Sequence, residues 1–495
     1  MRAWRPPAEV AAPGSGRLGA RAPWGGLRGR HTEIVPPSGP PPAAAPAFAP
    51  DRVRRFRFLA WDLDPGVGRI DLGYALEGRG VREELHEVVE LGGPVAGLGA
   101  AREAALHRAI RLLHLVAGVS YYKTSFAPEV ELGGEAPAQE VAGLLDRLYD
   151  RGLAECRYVN RLAARPRPIF PHRGPAGPAP GPAGLPARPL VPVGGGKDSI
   201  VALEAVRSCG AEPLLFSVGD APSVRRTAEV SGLPLVSFRR TLDPRLLELN
   251  RSGAINGHVP VTAVVSCLAV IAALVRGASR VVMACERSAS VGSLRWEGGE
   301  VNHQYSKGWE FERDFAAVVG HHIAPDLAYF SLLRPWSELA IARSFAHMPR
   351  YHHAFVSCNR AFLIDSDRRT PSWCGDCPKC RFVSLALAPF AGRDRVRDIV
   401  GRDLLDDPRQ LAGFRDLCGL GGAKPLECVG EVEEARAAVR LLDRSPEWRE
   451  AAVVRALAEE APIRDLPERT VAWALSPSSE HALPESCAHL ARELP

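Results

Sequence analysis

The chain has 495 residues, a formal net charge of +5 and 24% charged residues. A chain of this length can bury more than one hydrophobic core, and we expect about two or three domains. The mild positive charge suits an anionic small-molecule substrate, and the lack of a basic block interleaved with aromatic residues argues against a nucleic-acid partner.

The N-terminal third is predicted to contain a disordered extension and a small domain. Residues 1–52 are rich in proline, alanine, glycine and arginine and show no hydrophobic period, so we expect disorder there. Residues 1–50 also lack the apolar stretch of a secretory signal, which favours a cytoplasmic protein. Alternating residues on either side of Asp64-Pro65-Gly66 predict a β-hairpin. Helical patterns follow it, so we assign residues 53–165 to a small α+β domain.

Residues 166–188, dense in proline, glycine and alanine, are predicted to be a linker. An apolar run at 190–193, three glycines and a helical pattern then predict a strand, a glycine turn and a helix. Glycines let successive backbone N–H groups converge on one anion, and the positive end of the helix dipole favours a phosphate there. The residues of this candidate phosphate loop are Gly194, Gly195, Gly196, Lys197, Asp198 and Ser199.

Two familiar phosphate loops do not fit this stretch. A Walker A loop needs a glycine at Val191 and a serine or threonine at Asp198, and a dinucleotide fingerprint needs a glycine at Ser199. The pattern that fits is Ser-Gly-Gly-x-Asp-Ser, with Gly194 in place of its first serine. The stretch therefore resembles the PP-loop ATP pyrophosphatases, which cleave ATP to AMP and pyrophosphate. A carboxylate such as Asp198 suits the Mg²⁺ that accompanies ATP.

Residues 189–390 are predicted to be the ATP-binding catalytic domain, because strands alternate with helices along them. This order predicts an α/β fold with a parallel sheet, helices on both faces and ligands at the carboxyl ends of the strands. The apolar run at 259–275 contains a proline and two hydroxyl residues, which favours a buried helix over a membrane span. We therefore expect a soluble protein with no membrane partner. Residues 391–495 are predicted to form a helical C-terminal region.

Eleven cysteines, an odd number and mostly scattered, indicate cytosolic thiols together with one metal site. Cys374, Cys377 and Cys380 are close enough in sequence to converge on one structural Zn²⁺. Cys358, His352 or His353 can supply the fourth ligand. An iron–sulfur cluster would require a fourth cysteine at position 384, where this chain has Ser384. Free or redox-active thiols are the alternative to zinc.

Two further stretches carry candidate chemistry. Residues 295–312 combine amides, aromatic rings, His303 and Lys307 without apolar periodicity, which suits recognition of a polar substrate, although an ordinary polar loop has the same composition. Residues 424–430 hold Cys428, for which burial as a structural thiol is the simpler role. Lysine occurs at only five positions, 123, 197, 307, 379 and 424, and four of them fall in the stretches described above.

Taken together, these stretches resemble the UDP-N-acetyl-α-D-muramoyl-L-alanyl-L-glutamate epimerases of peptidoglycan synthesis, a PP-loop group. The matching stretches are 58–61, 118–123, 193–199, 302–312, 374–380 and 424–430. The family has a glycine where other PP-loops have the first serine, as this chain has at Gly194. The resemblance implies an isomerase that uses ATP and Mg²⁺ and acts on a UDP-muramoyl dipeptide made by an L-glutamate-adding ligase.

The implied reaction has a chemical reason. An α-proton beside a carboxylate is barely acidic, and adenylating the carboxylate removes its charge, so that a modest base can take the proton. Return of a proton to the other face inverts L-glutamate to D-glutamate, and hydrolysis releases AMP. His303 and Lys307 are the favoured proton carriers, with Cys285 and Cys428 as alternatives.

Two other functions remain open from the sequence. Similar cysteine clusters occur in 7-cyano-7-deazaguanine synthases, so that an amide-forming PP-loop enzyme is an alternative, although such an enzyme would not need residues 53–165 or the C-terminal helices. A nucleotide sensor without catalysis is a second alternative, and an intact Asp198 argues against it.

Overall fold

A computed structural model describes residues 47–362, 369–422 and 424–495. Most of the segment predicted to be disordered, residues 1–46, lies outside the described residues. Its last residues are described, and Pro50–Arg52 forms a short 3₁₀ turn before the first strand. The Phe48 amide donates to the Ser252 carbonyl at 2.8 Å, so the described part of the chain begins packed against residues two hundred positions later.

One large sheet of nine strands organises the described residues, with the order β11-β8-β5-β6-β7-β3-β2-β1-β4, and β9 and β10 form a separate hairpin. The strands are β1 (Val53–Asp64), β2 (Arg69–Gly78), β3 (Val81–Glu90), β4 (Glu129–Leu132), β5 (Pro189–Pro192), β6 (Leu214–Val218), β7 (Leu235–Thr241), β8 (Arg280–Met283), β9 (Leu294–Trp296), β10 (Gly299–Val301) and β11 (Ala328–Ser331).

The sheet is mixed, because the parallel strands expected in residues 189–390 share it with the hairpin expected in residues 53–165. Strands β11, β8, β5, β6 and β7 run parallel, as predicted, whereas β3 pairs antiparallel with β7 and continues into the β2 and β1 meander. The physical reason lies in β7, which would otherwise be an edge strand with unpaired backbone groups. Strand β7 continues to Thr241, and its residues 239–241 pair with 88–90 of β3. A buried ion pair between Arg240 and Glu87 lies at this junction, with Nε and Oε1 2.7 Å apart.

The helices of the described residues lie on both faces of the sheet or follow it in sequence. They are α1 (Ala100–Ala117), α2 (Val119–Tyr122), α3 (Gln139–Arg151), α4 (Ala154–Val159), α5 (Lys197–Ser208), α6 (Pro222–Ser231), α7 (Pro244–Arg251), α8 (Val261–Arg276), α9 (Trp309–Val318), α10 (Glu338–Ala346), α11 (Pro378–Ala391), α12 (Arg393–Val400), α13 (Leu411–Leu417), α14 (Val432–Asp443), α15 (Ala452–Ala458), α16 (Ala461–Arg464) and α17 (Glu468–Leu475).

Two hydrophobic cores cover the two faces of the parallel strands. Side chains alternate between faces along a strand, and Leu190 belongs to one core whereas Val191 belongs to the other. Helix α8 packs with α1 in the first core, and α5, α10, α11 and α14 fill the second. The predicted α/β class and the helical C-terminal region are thus confirmed. Within the described ranges, no helix combines the length and apolar character needed to cross a bilayer.

Candidate active site

The predicted phosphate loop lies between β5 and α5, at the carboxyl end of the strand. Gly195 has a φ of 79°, and a Cβ there would lie 2.2 Å from Ser223 Oγ, so the position requires glycine. Its carbonyl accepts a hydrogen bond of 2.9 Å from the Val356 amide. Gly194 faces open space, and Gly196 is the N-cap of α5. The loop therefore presents the start of a helix to an unfilled region, as an anion site needs.

Ser199 completes the first turn of α5 rather than pointing away from it. Its hydroxyl donates to the Gly196 carbonyl at 3.0 Å. This contact holds the turn in which the loop amides lie, so the hydroxyl contributes to the shape of the loop.

A buried network of charges surrounds the end of this loop. The Lys197 ammonium, 1% exposed, forms ion pairs with Asp198 and Glu338. Glu338 also accepts a hydrogen bond of 3.3 Å from Lys379. Burial favours the neutral form of Glu338, but the ammonium groups of Lys197 and Lys379 outweigh it and hold the pKa of Glu338 below its usual value. The network is thus ionised.

Glu286 adds a third carboxylate to this network. Oxygen atoms of Asp198, Glu286 and Glu338 all lie within 4.8 Å of one another. Glu286 is 1% exposed, and its Oε1 has no hydrogen-bond partner among the described residues. Hard carboxylate oxygens are the ligands that Mg²⁺ prefers, and an unsatisfied oxygen at this point fits a divalent cation. These residues therefore fit the Mg²⁺ predicted at Asp198, with Glu286 and Glu338 as additional ligands.

Four of the five lysines of the chain converge on these carboxylates. Besides Lys197 and Lys379, Lys307 acts electrostatically on Glu286 and Glu338, and so does Lys424. The fifth, Lys123, donates to Asn256 at 2.8 Å in another part of the molecule. A cluster of ammonium groups around a phosphate loop suits a polyphosphate substrate.

Arg334 fixes the two segments that deliver Glu286 and Lys307. Its guanidinium, 1% exposed, pairs with Glu312 at 2.8 Å. The same group donates to the backbone carbonyls of Glu286 and Lys307. Because a planar guanidinium offers donors in a rigid fork, Arg334 holds both backbone segments at a set separation.

His303 and Cys428 form a second titratable group beside the lysine cluster. The His303 side chain, 14% exposed, contacts the Glu155 carboxylate through Nδ1. Its ring lies against that of His258, with centroids 4.1 Å apart and the planes tilted by 36°. Cys428 acts electrostatically on His303. Burial alone would lower the pKa of His303, but Cys428 and Glu155 raise it to about 10.

The loop that carries Cys428 is anchored on α11. A Cβ on Gly430 would lie 2.4 Å from Cζ of Phe382, so the backbone approaches that ring as closely as glycine allows. Burial acts to lower the pKa of Lys307, but Cys428 and Glu286 raise it above its usual value. Lys307 thus interacts electrostatically with the thiol of Cys428 and with the carboxylates of Glu286 and Asp198.

The predicted cysteine cluster is also assembled. Cys358, Cys374, Cys377 and Cys380 place their sulfur atoms within 4.8 Å of one another, with Sγ–Sγ distances of 3.5 Å for Cys377 and Cys380 and 4.0 Å for Cys358 and Cys377. Zinc–sulfur bonds of about 2.3 Å in a tetrahedron put sulfur atoms about 3.8 Å apart, so the four thiols fit Zn²⁺. His352 instead contacts the Phe345 carbonyl at 3.1 Å, and the fourth member of the group is Cys358 rather than His352 or His353.

The structure brings the predicted site residues together and adds several that the sequence did not indicate. Glu338, Glu155 and Arg334 were missed. Glu338 is an ordinary first-turn glutamate in sequence, and Glu155 is separated from His303 by 148 positions. The scarcity of lysine was the one signal that pointed to Lys379.

Comparison with known proteins identifies the family. Residues 47–332 match the model of the MurL N-terminal domain, and residues 354–471 match that of the MurL C-terminal domain. The chain is 44% identical over 439 residues to a protein of Xanthomonas oryzae, covering 88% of this chain and 97% of that protein. It is 45% identical over 418 residues to one of Salinispora tropica, covering 83% and 90%. Both relatives are named UDP-N-acetyl-alpha-D-muramoyl-L-alanyl-L-glutamate epimerase. The chain therefore belongs to the MurL family of epimerases.

Proposed function

We propose that this protein inverts the terminal L-glutamate of UDP-N-acetylmuramoyl-L-alanyl-L-glutamate to D-glutamate, using ATP to form a carboxyl adenylate and releasing AMP and pyrophosphate. The names of the relatives support the epimerisation and the substrate. The observation that supports the ATP-dependent part is the group of carboxylates at the end of the glycine loop. Oxygen atoms of Asp198, Glu286 and Glu338 lie within 4.8 Å of one another, beside the ammonium groups of Lys197 and Lys379. Such a group suits Mg²⁺ and the phosphates of ATP.

The phosphate loop and its lysines are proposed to bind the triphosphate. The amides of the glycine loop and Lys197 hold the phosphates, as in the PP-loop enzymes that the stretch resembles. A cavity of about 280 Å³ opens beside the loop, lined by Gly219, Asp220, Ser223 and Arg226 among others. Ser223 contacts Gly195, so this cavity borders the loop, and it is the proposed site of the nucleoside half of ATP.

The metals have separate proposed roles. Asp198, with Glu286 and Glu338, would hold Mg²⁺, which neutralises charge on the phosphates when bound. The four cysteines would hold a structural Zn²⁺. Helix α11 starts within the cysteine cluster and carries Lys379 to Glu338, so that this cluster supports the ATP site.

His303 and Lys307 are the proposed proton carriers, and they act in their protonated forms as proton donors. The neighbours of both groups favour their protonated forms, as their raised pKa values indicate. Protonated groups beside the reacting carbon can donate a proton and stabilise negative charge on the activated carbonyl. The substrate class implies a ligase upstream that adds L-glutamate to the muramoyl-L-alanine nucleotide.

The test is incubation of the purified protein with the muramoyl-L-alanyl-L-glutamate nucleotide, ATP and Mg²⁺. We expect D-glutamate on chiral analysis of the hydrolysed product, together with AMP and pyrophosphate in the nucleotide fraction. Formation of ADP, or inversion at an equal rate without ATP, would contradict the adenylate.

A further inference from the structure

Two histidines and a glutamate form a compact group of side chains that can act as metal ligands. They come from α4, from the segment before α8 and from the segment after β10, and ligand atoms of Glu155, His258 and His303 all lie within 4.8 Å of one another. His303 Nδ1 contacts the Glu155 carboxylate, and the rings of His303 and His258 have centroids 4.1 Å apart. The side chains of Glu155 and His303 are 13% and 14% exposed, so small ions in solution can reach them.

Helix α4 and the segment before α8 are joined next to Glu155 and His258. The Asn160 side chain, which follows α4, donates to the Asn256 carbonyl at 3.0 Å. Gly257 approaches α4 so closely that a Cβ on it would lie 2.8 Å from a sulfur atom of that helix. These contacts fix the distance between the backbone that carries Glu155 and the backbone that carries His258.

The backbone at His303 is held by the residues on either side of it. The Gln304 amide donates to Asn302 Oδ1 at 2.7 Å, and Asn302 Nδ2 donates to the Ala289 carbonyl at 2.9 Å. All three segments are thus anchored by contacts that do not involve a ligand. A site whose supporting backbone is fixed in advance loses little order when an ion binds.

The donor atoms indicate the class of ion. Imidazole nitrogens suit Zn²⁺ and other transition-metal ions, whereas Mg²⁺ prefers oxygen ligands. Two histidines and one carboxylate are also the protein ligands of many catalytic zinc sites, in which a fourth position stays open. Bonds of about 2.0–2.1 Å to a tetrahedral ion put ligand atoms about 3.4 Å apart, which side-chain rotation can reach from separations of at most 4.8 Å. The group therefore differs in chemistry from the cysteine cluster and from the carboxylates proposed for Mg²⁺.

We propose that Glu155, His258 and His303 form a further binding site for a transition-metal ion such as Zn²⁺, and that an ion bound there inhibits the reaction. The inhibitory part rests on the proposed function, in which a protonated His303 donates a proton. A metal ion on the imidazole takes the place of that proton, which leaves to water. The metal-bound protein therefore lacks one of its two proposed proton carriers.

Cobalt binding tests the site without ATP or substrate. Full-length protein with zinc in its cysteine cluster is titrated with Co²⁺ in excess Mg²⁺, which fills the carboxylate site. We expect about one further Co²⁺ per chain, with the visible bands of nitrogen and oxygen ligands and without the intense charge-transfer band of thiolates. Absence of this further Co²⁺ in the wild type would overturn the site.

Two variants and a control assign the Co²⁺ to these residues. Even the outer partners of metal ligands are worth about 10–100-fold in affinity, so His258→Gln and Glu155→Gln should each weaken Co²⁺ binding by at least about 100-fold. His86→Gln is the matched control, because it removes an exposed imidazole on β3 and should bind Co²⁺ like the wild type. Wild-type affinity in both ligand variants would refute the assignment.

A second measurement locates the inhibition. Exchange of labelled pyrophosphate into ATP reports adenylation, and incorporation of deuterium from D₂O at Cα reports proton transfer. At saturating Zn²⁺ we expect deuterium incorporation to fall about 10²–10⁴-fold, the usual contribution of an acid–base group, while pyrophosphate exchange stays within about threefold. The ratio of the rates with and without Zn²⁺ should return to near one in His258→Gln. Equal loss of both activities in the wild type would place the inhibition at the ATP site and overturn this role.

The metal site and the proposed function fail separately. If the protein shows no ATP-dependent epimerisation but binds Co²⁺ through His258, the proposed function is wrong and the metal site stands. If epimerisation proceeds and no further Co²⁺ binds, the metal site is wrong and the proposed function stands. Epimerisation at an unchanged rate with Zn²⁺ bound at this site would overturn the inhibition.

Discussion

Single side chains set the charge of the phosphate site. Lys197 and Glu338 are each 1% exposed on their side chains, and each is paired. A buried charge that loses its partner costs about 3–5 kcal/mol, so each member of this network restrains the others. Asp198 is the more accessible member, with 23% of its side chain exposed. It can therefore exchange its contact with Lys197 for a ligand.

Asp198→Asn tests whether this carboxylate holds Mg²⁺, because the substitution removes the charge and keeps the shape of the side chain. The amide keeps the shape and loses the charge that would hold Mg²⁺, so we expect pyrophosphate release to fall about 10²–10³-fold. The measurement is a coupled pyrophosphate assay at saturating Mg²⁺. Asp394→Asn, at a side chain 84% exposed, is the control and should match the wild type. Wild-type release by Asp198→Asn would remove the metal role of this carboxylate.

Residues that lie close in sequence were predictable, and residues that meet only in space were not. Gly194 to Ser199 and the cysteines at 374, 377 and 380 carry their chemistry in a fixed local spacing. Arg334 joins Glu312 to two backbone carbonyls from other segments, which no local pattern encodes. The raised pKa of His303 likewise depends on Glu155, which is 148 positions away in sequence.

At the scale of elements, two short connections position the site. The glycine loop sets where α5 begins, and the cysteine cluster sets where α11 begins. Both helices bring a lysine from their first turn to Glu338. The charge network therefore forms only if both helices begin at these positions.

Gly195→Ala tests the first connection. A side chain at a φ of 79° costs about 1–2 kcal/mol, and the contact with Ser223 Oγ adds to it. We expect a lower urea midpoint and loss of ATP binding. Gly194→Ala meets nothing within 4 Å, so its urea midpoint should stay near that of the wild type. Equal midpoints for the two variants would contradict the strain assigned to Gly195.

Cys377→Ser tests the second connection. We expect the wild type to contain about one zinc per chain by mass spectrometry and the variant to contain much less. The variant should also unfold at lower temperature, because the start of α11 loses its anchor. Cys209→Ser should keep the metal. Full zinc content in Cys377→Ser would show that the four cysteines are not its ligands.

The one central strand that the sequence did not predict shows why elements are missed. Strand β3 buries Leu85, Glu87 and Val89 in alternation. A glutamate in the middle position interrupts the apolar pattern on which strand prediction depends. Glu87 is tolerated there because Arg240 of β7 neutralises it.

At the scale of the molecule, residues 53–90 and 189–331 share one sheet across the predicted linker. The site likewise draws on both family matches. The phosphate loop, His303 and Lys307 lie in residues 47–332, whereas Lys379 and Cys428 lie in residues 354–471. Neither matched region contains the whole charge network.

Glu87→Gln tests whether the sheet unfolds as a unit. The variant leaves the buried Arg240 charge without its partner, at a cost of about 3–5 kcal/mol. We expect urea transitions followed by tryptophan fluorescence and by circular dichroism to shift together. The control is Glu90→Gln on the same strand, because its pair with Arg239 is exposed and worth about 0–1 kcal/mol. Two separate transitions in the wild type would indicate independent domains.

The placement of the lysines has a practical consequence for labelling. None of the five lysines is exposed, and four of them surround the carboxylates of Asp198, Glu286 and Glu338. Amine-selective reagents therefore meet almost no competing side chains on the outside of the described molecule. Acylation of these lysine side chains by such a reagent becomes a footprint of ATP occupancy.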